Sequence, residues 1–127
     1  MQEPLFLTLA EVLEIHKDQI ARYGGDVGIR DLGLLQSAVA QPEMSFGGQW
    51  LHKDLCAMSA AYAFHIAQNQ PFLDGNKRAG LASALVFLEL NGITIKDPSG
   101  RLYEAMIGIA QRKTDKDGLA EVLRSLF

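Results

Sequence analysis

Two long apolar segments, separated by only a short stretch, constrain the fold of this 127-residue chain more than any other feature. The segment from Lys53 to Asn69 is apolar around its circumference and rich in small residues, which predicts a helix buried on most sides. A second buried helix is predicted from Asn76 to Leu90, where Asn91-Gly92 ends it. Other helices must cover both segments, so we expect a helical bundle with this pair at its centre.

The remainder of the chain supplies elements that can cover the central pair. Thr8 and Glu11 have the spacing of a capping box, and Asp31 is placed to cap a short helix. The turn-rich segment 42–50 allows at most a small β-hairpin or flap. We therefore predict an all-α fold in one domain spanning residues 1–127. The predicted outer helices are 9–23, 32–41, 99–112 and 115–126, the last opened by residues 114–117.

Charge and cysteine content exclude several classes of protein. A net charge of −3 and a pI near 5.5 argue against binding nucleic acid through bulk positive charge. The single Cys56 allows no intrachain disulfide and is predicted to be a small buried residue. The N-terminal stretch has no basic start, and the most apolar run is too short to span a bilayer. We expect a cytoplasmic protein with no membrane partner.

The loop 70–78, QPFLDGNKR, has the composition of a phosphate-binding turn that opens a helix. Gly75 permits a tight turn, and the first N–H groups of the following helix favour an anion. Asn76 adds an amide donor, and Lys77 and Arg78 add positive charge. Asp74 makes sense beside a phosphate if Mg²⁺ is bound there as well, since Mg²⁺ is usually held by one or two carboxylates plus the nucleotide.

A structural interpretation of the same loop competes with the functional one. A helix N-terminus with an aspartate cap and solvated basic side chains has the same short pattern, and short motifs match by chance. Phe72, between two polar stretches, is predicted to anchor the loop to the core. The spacing alone does not decide between the two interpretations.

A wider resemblance favours the functional interpretation. Residues 62–92 resemble the core of the Fic/Doc family, in its Doc (death-on-curing) branch. The family motif is H-P-F-x-x-G-N-x-R, and the similarity extends upstream to ARYGGDVGIRDLGLLQSAVAQP and FGGQW. The motif positions that match in register are Pro71, Phe72, Gly75, Asn76 and Arg78.

The resemblance implies a particular reaction. Adenylylating Fic proteins commonly have Gly between the motif Asn and Arg, whereas this chain has Lys77, as in Doc toxins. The Doc branch implies a Mg-ATP-dependent protein kinase that transfers the γ-phosphoryl group to a hydroxyl of elongation factor Tu and halts translation. It also implies a toxin–antitoxin system, in which an antitoxin segment folds over the site.

Gln70 departs from the family motif, which has His at this position. In the family that His takes the proton from the attacking hydroxyl. An amide can accept a hydrogen bond but cannot carry the proton away, and losing a general base costs on the order of 10²–10⁴ in rate. The resemblance thus implies a nucleotide-binding scaffold with impaired catalysis.

Another histidine would have to replace the missing base. His65 lies five positions before Gln70, about 140° around the helix, and is interpreted as a core or helix-surface residue. His16 and His52 have no motif around them and are interpreted as ordinary polar positions.

Several weaker candidates keep two interpretations each. Two positions are possible for Arg22, Tyr23 and Arg30: on the solvated surface, which is the default, or at the mouth of the pocket. Two roles are also possible for Phe46 and Trp50: they could form a flap that docks the target protein, or they could anchor the loop to the core. Asn69 is a candidate cap for the central helix. Two other functions also stay open, namely a non-catalytic nucleotide- or antitoxin-binding module and a protein adenylyltransferase, which Lys77 disfavours.

Overall fold

The computed structural model describes residues 3–127 and is predominantly helical, as predicted. One antiparallel hairpin pairs Ser45 with Trp50 and Phe46 with Gln49, and no other strand pair occurs within these residues. The all-α fold with a small hairpin is therefore confirmed. The elements are α1 (Leu9–Tyr23), α2 (Leu32–Ala40), a 3-10 turn (Gln41–Glu43), β1 (Ser45–Phe46), β2 (Gln49–Trp50), α3 (Leu55–Asn69), α4 (Asn76–Leu90), α5 (Arg101–Ala110) and α6 (Lys116–Ser125).

Side-chain caps fix where α1, α2, α3 and α6 begin. Thr8 and Glu11 form the predicted capping box, with reciprocal bonds of 3.1 and 2.9 Å. Asp31 caps α2 as predicted. Asp54 and Asp115 cap α3 and α6, so both helices begin slightly later than the sequence predicts. A residue that caps a helix has an extended backbone and therefore lies outside it.

The central position of α3 is confirmed. It packs most extensively against α4 and also contacts α2, α5 and α6. The buried apolar side chains form a cluster that extends from Leu7 to Leu123. Cys56 lies in this cluster, and burial raises the pKa of its thiol. The small side chains of α3 allow close approach, and at Gly80 the backbone of α4 lies directly against Ala63.

The two aromatic residues of the hairpin have different environments. Trp50 packs edge-on against Phe6, with ring centroids 5.3 Å apart, so it anchors the hairpin. Phe46 is 85% exposed at the turn. Thus the anchor interpretation holds for Trp50, whereas Phe46 remains available for a partner.

Within residues 3–127, none of the helices combines the length and apolar character required to cross a membrane.

Candidate functional site

Two left-handed residues shape the loop between α3 and α4. Gln70 has φ 47° and ψ 55°, and its N–H donates to the carbonyl of Ile66 at 3.1 Å, which ends α3. Gly75 has φ 75° and opens α4. A side chain at Gly75 would be strained in this conformation and would begin 3.0 Å from Ile20. The backbone conformation thus favours the glycine predicted for a tight turn, and a larger residue would also press against Ile20.

The side chain of Asn76 makes two hydrogen bonds to the backbone within the loop. Its side-chain oxygen accepts from the N–H of Phe72 at 2.9 Å, and its amide nitrogen donates to the carbonyl of Phe72 at 3.0 Å. Phe72 is 1% exposed, so its side chain is buried in the core beneath the loop. The amide of Asn76 has a second hydrogen for a ligand, so its predicted contact with phosphate remains a prediction.

His16 supports the loop from α1. Its ring stacks on Phe72, with centroids 3.6 Å apart and planes 3° from parallel. Its Nε2 lies 2.8 Å from the carbonyl oxygen of Asp74, and since a carbonyl only accepts, Nε2 carries the hydrogen. From its sequence neighbours, His16 is predicted to be an ordinary polar residue, and this supporting role is not foreseen. The only hint was its position on the apolar stripe of α1.

The segment 24–31 lies beside the loop and fixes its backbone. Residues 30 and 31 both donate to the carbonyl of Pro71, at 2.7 and 3.0 Å, and Leu73 donates to the carbonyl of Gly28 at 3.0 Å. The N–H of Asp26 donates to Oδ2 of Asp74 at 2.8 Å, which orients that carboxylate. The loop is therefore supported by hydrogen bonds to residues at least 40 positions away in the sequence.

The guanidinium of Arg30 closes the end of α3. It donates to the carbonyls of Asn69 and Gln70 at 2.8 and 2.7 Å, which places a cation at a helix C-terminus. The side chain of Asn69 instead donates to the carbonyl of Leu34 at 3.0 Å, so Asn69 ties α3 to α2 and Gln70 is the capping residue.

A cleft of about 500 Å³ brings the predicted site residues together. The end of α5, through Ile109 and Ala110, and the turn after it, through Arg112, also line the cleft, and none of these three residues was predicted from the sequence. No local motif surrounds Arg112, so nothing in the sequence pointed to it. The predicted residues that line the cleft are Gln70, Asp74, Gly75, Asn76, Lys77 and Arg78.

The basic residues near the loop differ in how far they are already engaged. Arg78 donates to the carbonyl of Gly24 at 3.1 Å and lies 5.6 Å from the ring centroid of Tyr23. Lys77 is exposed on the first turn of α4. Arg22 pairs with Asp18 at 2.9 Å and, like Tyr23, does not line the cleft.

The side chains that line the cleft could bind a metal ion only together with a nucleotide. Among residues 3–127, no group of three or more His, Cys, Asp or Glu side chains could hold a metal ion by itself. Asp74 is the one carboxylate among the lining residues, and it is exposed. A single carboxylate with phosphate oxygens is the usual arrangement for Mg²⁺ on a nucleotide, so the residues fit the predicted Mg-ATP.

His65 belongs to a different cluster. The ammonium group of Lys116 donates to Nε2 of His65 at 3.2 Å and to Nε2 of His52 at 3.1 Å. Burial, followed by the charge of Lys116, lowers the pKa of His65 to about 4 and also lowers the pKa of His52. His65 does not line the cleft, so it is not placed to replace the base missing at Gln70.

This cluster predicts a loss of stability in acid. His65 is neutral in the fold down to about pH 4 but binds a proton near pH 6.5 when unfolded, so its contribution is complete above pH 6.5 and decreases as the pH falls toward 4. With partial solvent screening taken into account, we expect a loss of about 2 kcal/mol in unfolding free energy. Urea titrations from pH 7 to pH 4 should give a flatter profile for His65→Gln, whose amide still accepts from Lys116. Parallel profiles for the two proteins would contradict this assignment.

Comparison of the sequence with known families and proteins identifies the relatives of this chain. The sequence model of the Fic/DOC family matches residues 6–88. The chain is 34% identical over 124 residues to the protein named "Protein kinase doc" of Escherichia phage P1, covering 92% of this chain and 91% of that protein. It is 35% identical over 103 residues to "Toxin Doc" of Mycolicibacterium smegmatis, covering 80% and 79% of the two chains. Because both the family match and the relatives extend over most of the chain and include the loop at the cleft, the chain belongs to the Fic/Doc family.

Proposed function

We propose that this protein is a Doc-like toxin whose cleft binds Mg-ATP and directs its γ-phosphoryl group to a hydroxyl of a translation factor such as elongation factor Tu. In the chain as it stands, transfer is weakened by Gln70. The observation that supports this best is the convergence of Asp74, Lys77 and the N-terminus of α4 on one cleft. Similarity to a relative named as a protein kinase supports the same class of reaction.

The phosphate chain has donors in place at the start of α4. The first backbone bond of the helix runs from the N–H of Ala79 to the carbonyl of Gly75, at 2.8 Å. The N–H groups of the three preceding residues thus have no partner within the helix and favour an anion. Lys77 lies on this same turn and adds a full charge for the terminal phosphates. This position is the basis for proposing a kinase and not an adenylyltransferase.

Asp74 is the residue that would hold Mg²⁺. The bond from the N–H of Asp26 to Oδ2 fixes the carboxylate, while the other oxygen is left for the ion. Mg²⁺ would offset the negative charge on the phosphate oxygens during transfer. The chain itself holds Asp74 in place at two points, since His16 donates to its main-chain carbonyl and the N–H of Asp26 donates to its carboxylate.

Gln70 limits what the site can do with the acceptor. Its exposed side chain lines the cleft and can accept a hydrogen bond from a hydroxyl, which would orient the acceptor. No proton transfer to the amide follows near neutral pH. This same residue favours a second candidate, a module that binds nucleotide or an antitoxin segment without catalysis. An antitoxin partner is proposed in either case, by analogy with the relative named as a toxin.

Nucleotide binding is the first property to test. The protein as given should bind Mg-ATP in a calorimetric titration, since every proposed phosphate ligand is present. Lys77→Gln should weaken binding by about tenfold, because a charge-assisted contact contributes roughly 1.5–3 kcal/mol and this one is exposed. Lys96→Gln is the matched control, since Lys96 is exposed but does not line the cleft. Equal affinity in the two variants would remove the phosphate assignment.

A further inference from the structure

We infer that Arg112 is a nucleotide-contacting residue, whose guanidinium binds the phosphate chain of Mg-ATP from the α5 side of the cleft. This inference rests on the proposed function and adds a ligand outside the loop 70–78. Arg112 follows α5 in the chain and lines the cleft together with Lys77 and Arg78. It also lines an adjoining cleft of about 560 Å³ with Gln68 and Thr114, so it stands at the border between the two.

The backbone at Arg112 is held in place by the end of α5. Arg112 has φ 60°, a left-handed conformation that glycine adopts without strain and other residues adopt at a cost of about 1 kcal/mol. Its N–H donates to the carbonyl of Ile109 at 3.1 Å, and the N–H groups of residues 113 and 114 both donate to the carbonyl of Gly108, at 2.7 and 3.1 Å. Thr114 packs against Gly108 so closely that no side chain fits there. The side chain of Arg112 therefore projects from a fixed turn.

The guanidinium of Arg112 is not used by the fold. Other arginines are engaged, for example Arg30 with two carbonyls and Arg124 with both oxygens of Asp54. Within residues 3–127, Arg112 has no hydrogen bond or salt bridge through its side chain, and it is exposed. The left-handed conformation of Arg112 ends α5, as a residue after a helix commonly does, and leaves this unpaired guanidinium at the cleft, where it is free to bind a ligand.

The charge of the cleft identifies the class of ligand. Lys77, Arg78 and Arg112 line it with Asp74 as the only carboxylate, which gives two net positive charges in a chain whose total is −3. A positive cleft on an acidic protein attracts a polyanion locally. Arg112 lies in the turn after α5, whereas the free N–H groups belong to α4, so the two sources of positive charge can contact the same phosphate chain from separate elements.

The test measures Mg-ATP affinity and thermal stability on the same variants. Arg112→Gly removes the charge and the backbone strain together, so we expect an unchanged or higher melting temperature with about tenfold weaker binding. Arg112→Gln keeps the strained backbone and should lose the same affinity, whereas Arg112→Lys should retain most of it. In both neutral variants the salt dependence of binding should become shallower. Arg101→Gln is the matched control, because Arg101 is exposed and lines no part of the cleft.

The outcomes separate this inference from the proposed function. If the unmodified protein binds Mg-ATP and both neutral variants bind it equally well, the inference is wrong and the proposed function stands. A fall in melting temperature together with affinity in Arg112→Gly would assign Arg112 a structural role and also overturn the inference. If the unmodified protein does not bind Mg-ATP, the proposed function fails and the inference fails with it.

Discussion

Replacing Gln70 with His is expected to raise phosphoryl transfer by two or more orders of magnitude, with little change in affinity for Mg-ATP. General-base catalysis contributes roughly 10²–10⁴ in rate, and an imidazole supplies the proton acceptor that the amide lacks. The proposed nucleotide ligands, residues 74–78 and Arg112, are not altered by the change. The rate should therefore rise through kcat and leave nucleotide binding nearly as it is.

The fold is suited to accept this substitution. Gln70 is in a left-handed conformation, which His tolerates more readily than most residues. Its backbone is held at both ends, by the bond to Ile66 and by Arg30, whose guanidinium binds the carbonyl of residue 70. The side chain is exposed toward the cleft, so the exchange removes no contact in the core.

The assay uses ATP labelled at either the α- or the γ-phosphate, with a bacterial elongation factor Tu as the acceptor. Transfer of the γ label by Gln70→His supports the kinase, transfer of the α label would indicate an adenylyltransferase, and absence of both would favour the non-catalytic module. Gln70→Asn is the control, since Asn also tolerates this backbone conformation but cannot take the proton. The activity of Gln70→His should fall in acid with the imidazole pKa, near 6.5 unless the site shifts it. Full-rate transfer by the unmodified protein would show that Gln70 does not limit the reaction.

The helices could be predicted from the sequence because their determinants are local. The apolar periodicity, Asn91-Gly92 and the capping carboxylates all act within a few residues, and α4 has the predicted bounds of 76–90. The misplaced ends have a local cause as well. Gly100 adopts φ 72° before α5, so this helix begins at Arg101 and not at residue 99.

Only the part of the site that is contiguous in the sequence could be predicted, because sequence patterns report local determinants. The loop 70–78 is contiguous, and its chemistry follows from residue types and spacing. The residues that position it come from elsewhere in the chain: His16 lies 58 residues before Asp74, and Arg112 comes from the end of another helix. Such contacts depend on how the helices pack, which local sequence patterns do not determine. The helical angle did separate His65 from Gln70, and the structure agrees by placing His65 with Lys116.

Gly80→Val is expected to destabilise the protein strongly, because α3 and α4 are in close contact at this position. A Cβ atom at position 80 would lie 2.8 Å from the carbonyl oxygen of Ala63 and 3.3 Å from its Cα. Both atoms belong to the backbone of α3, so no side chain can rotate away and the two helices must separate. We expect the free energy of unfolding to fall by about 3 kcal/mol, although valine has the better helix propensity by several tenths of a kcal/mol.

Urea denaturation of Gly80→Val beside Gly33→Val tests this prediction. Gly33 is also in a helix, but it is exposed, and the nearest atom to an added Cβ is the Asp31 side chain at 3.3 Å. Its substitution should change stability by less than about 1 kcal/mol. If both variants lose the same amount, the cause is valine in a helix and not the contact between α3 and α4. The loop 70–75 connects these two helices, so their separation in Gly80→Val should also weaken Mg-ATP binding. In Gly33→Val the two helices stay in contact, and Mg-ATP binding should be unchanged.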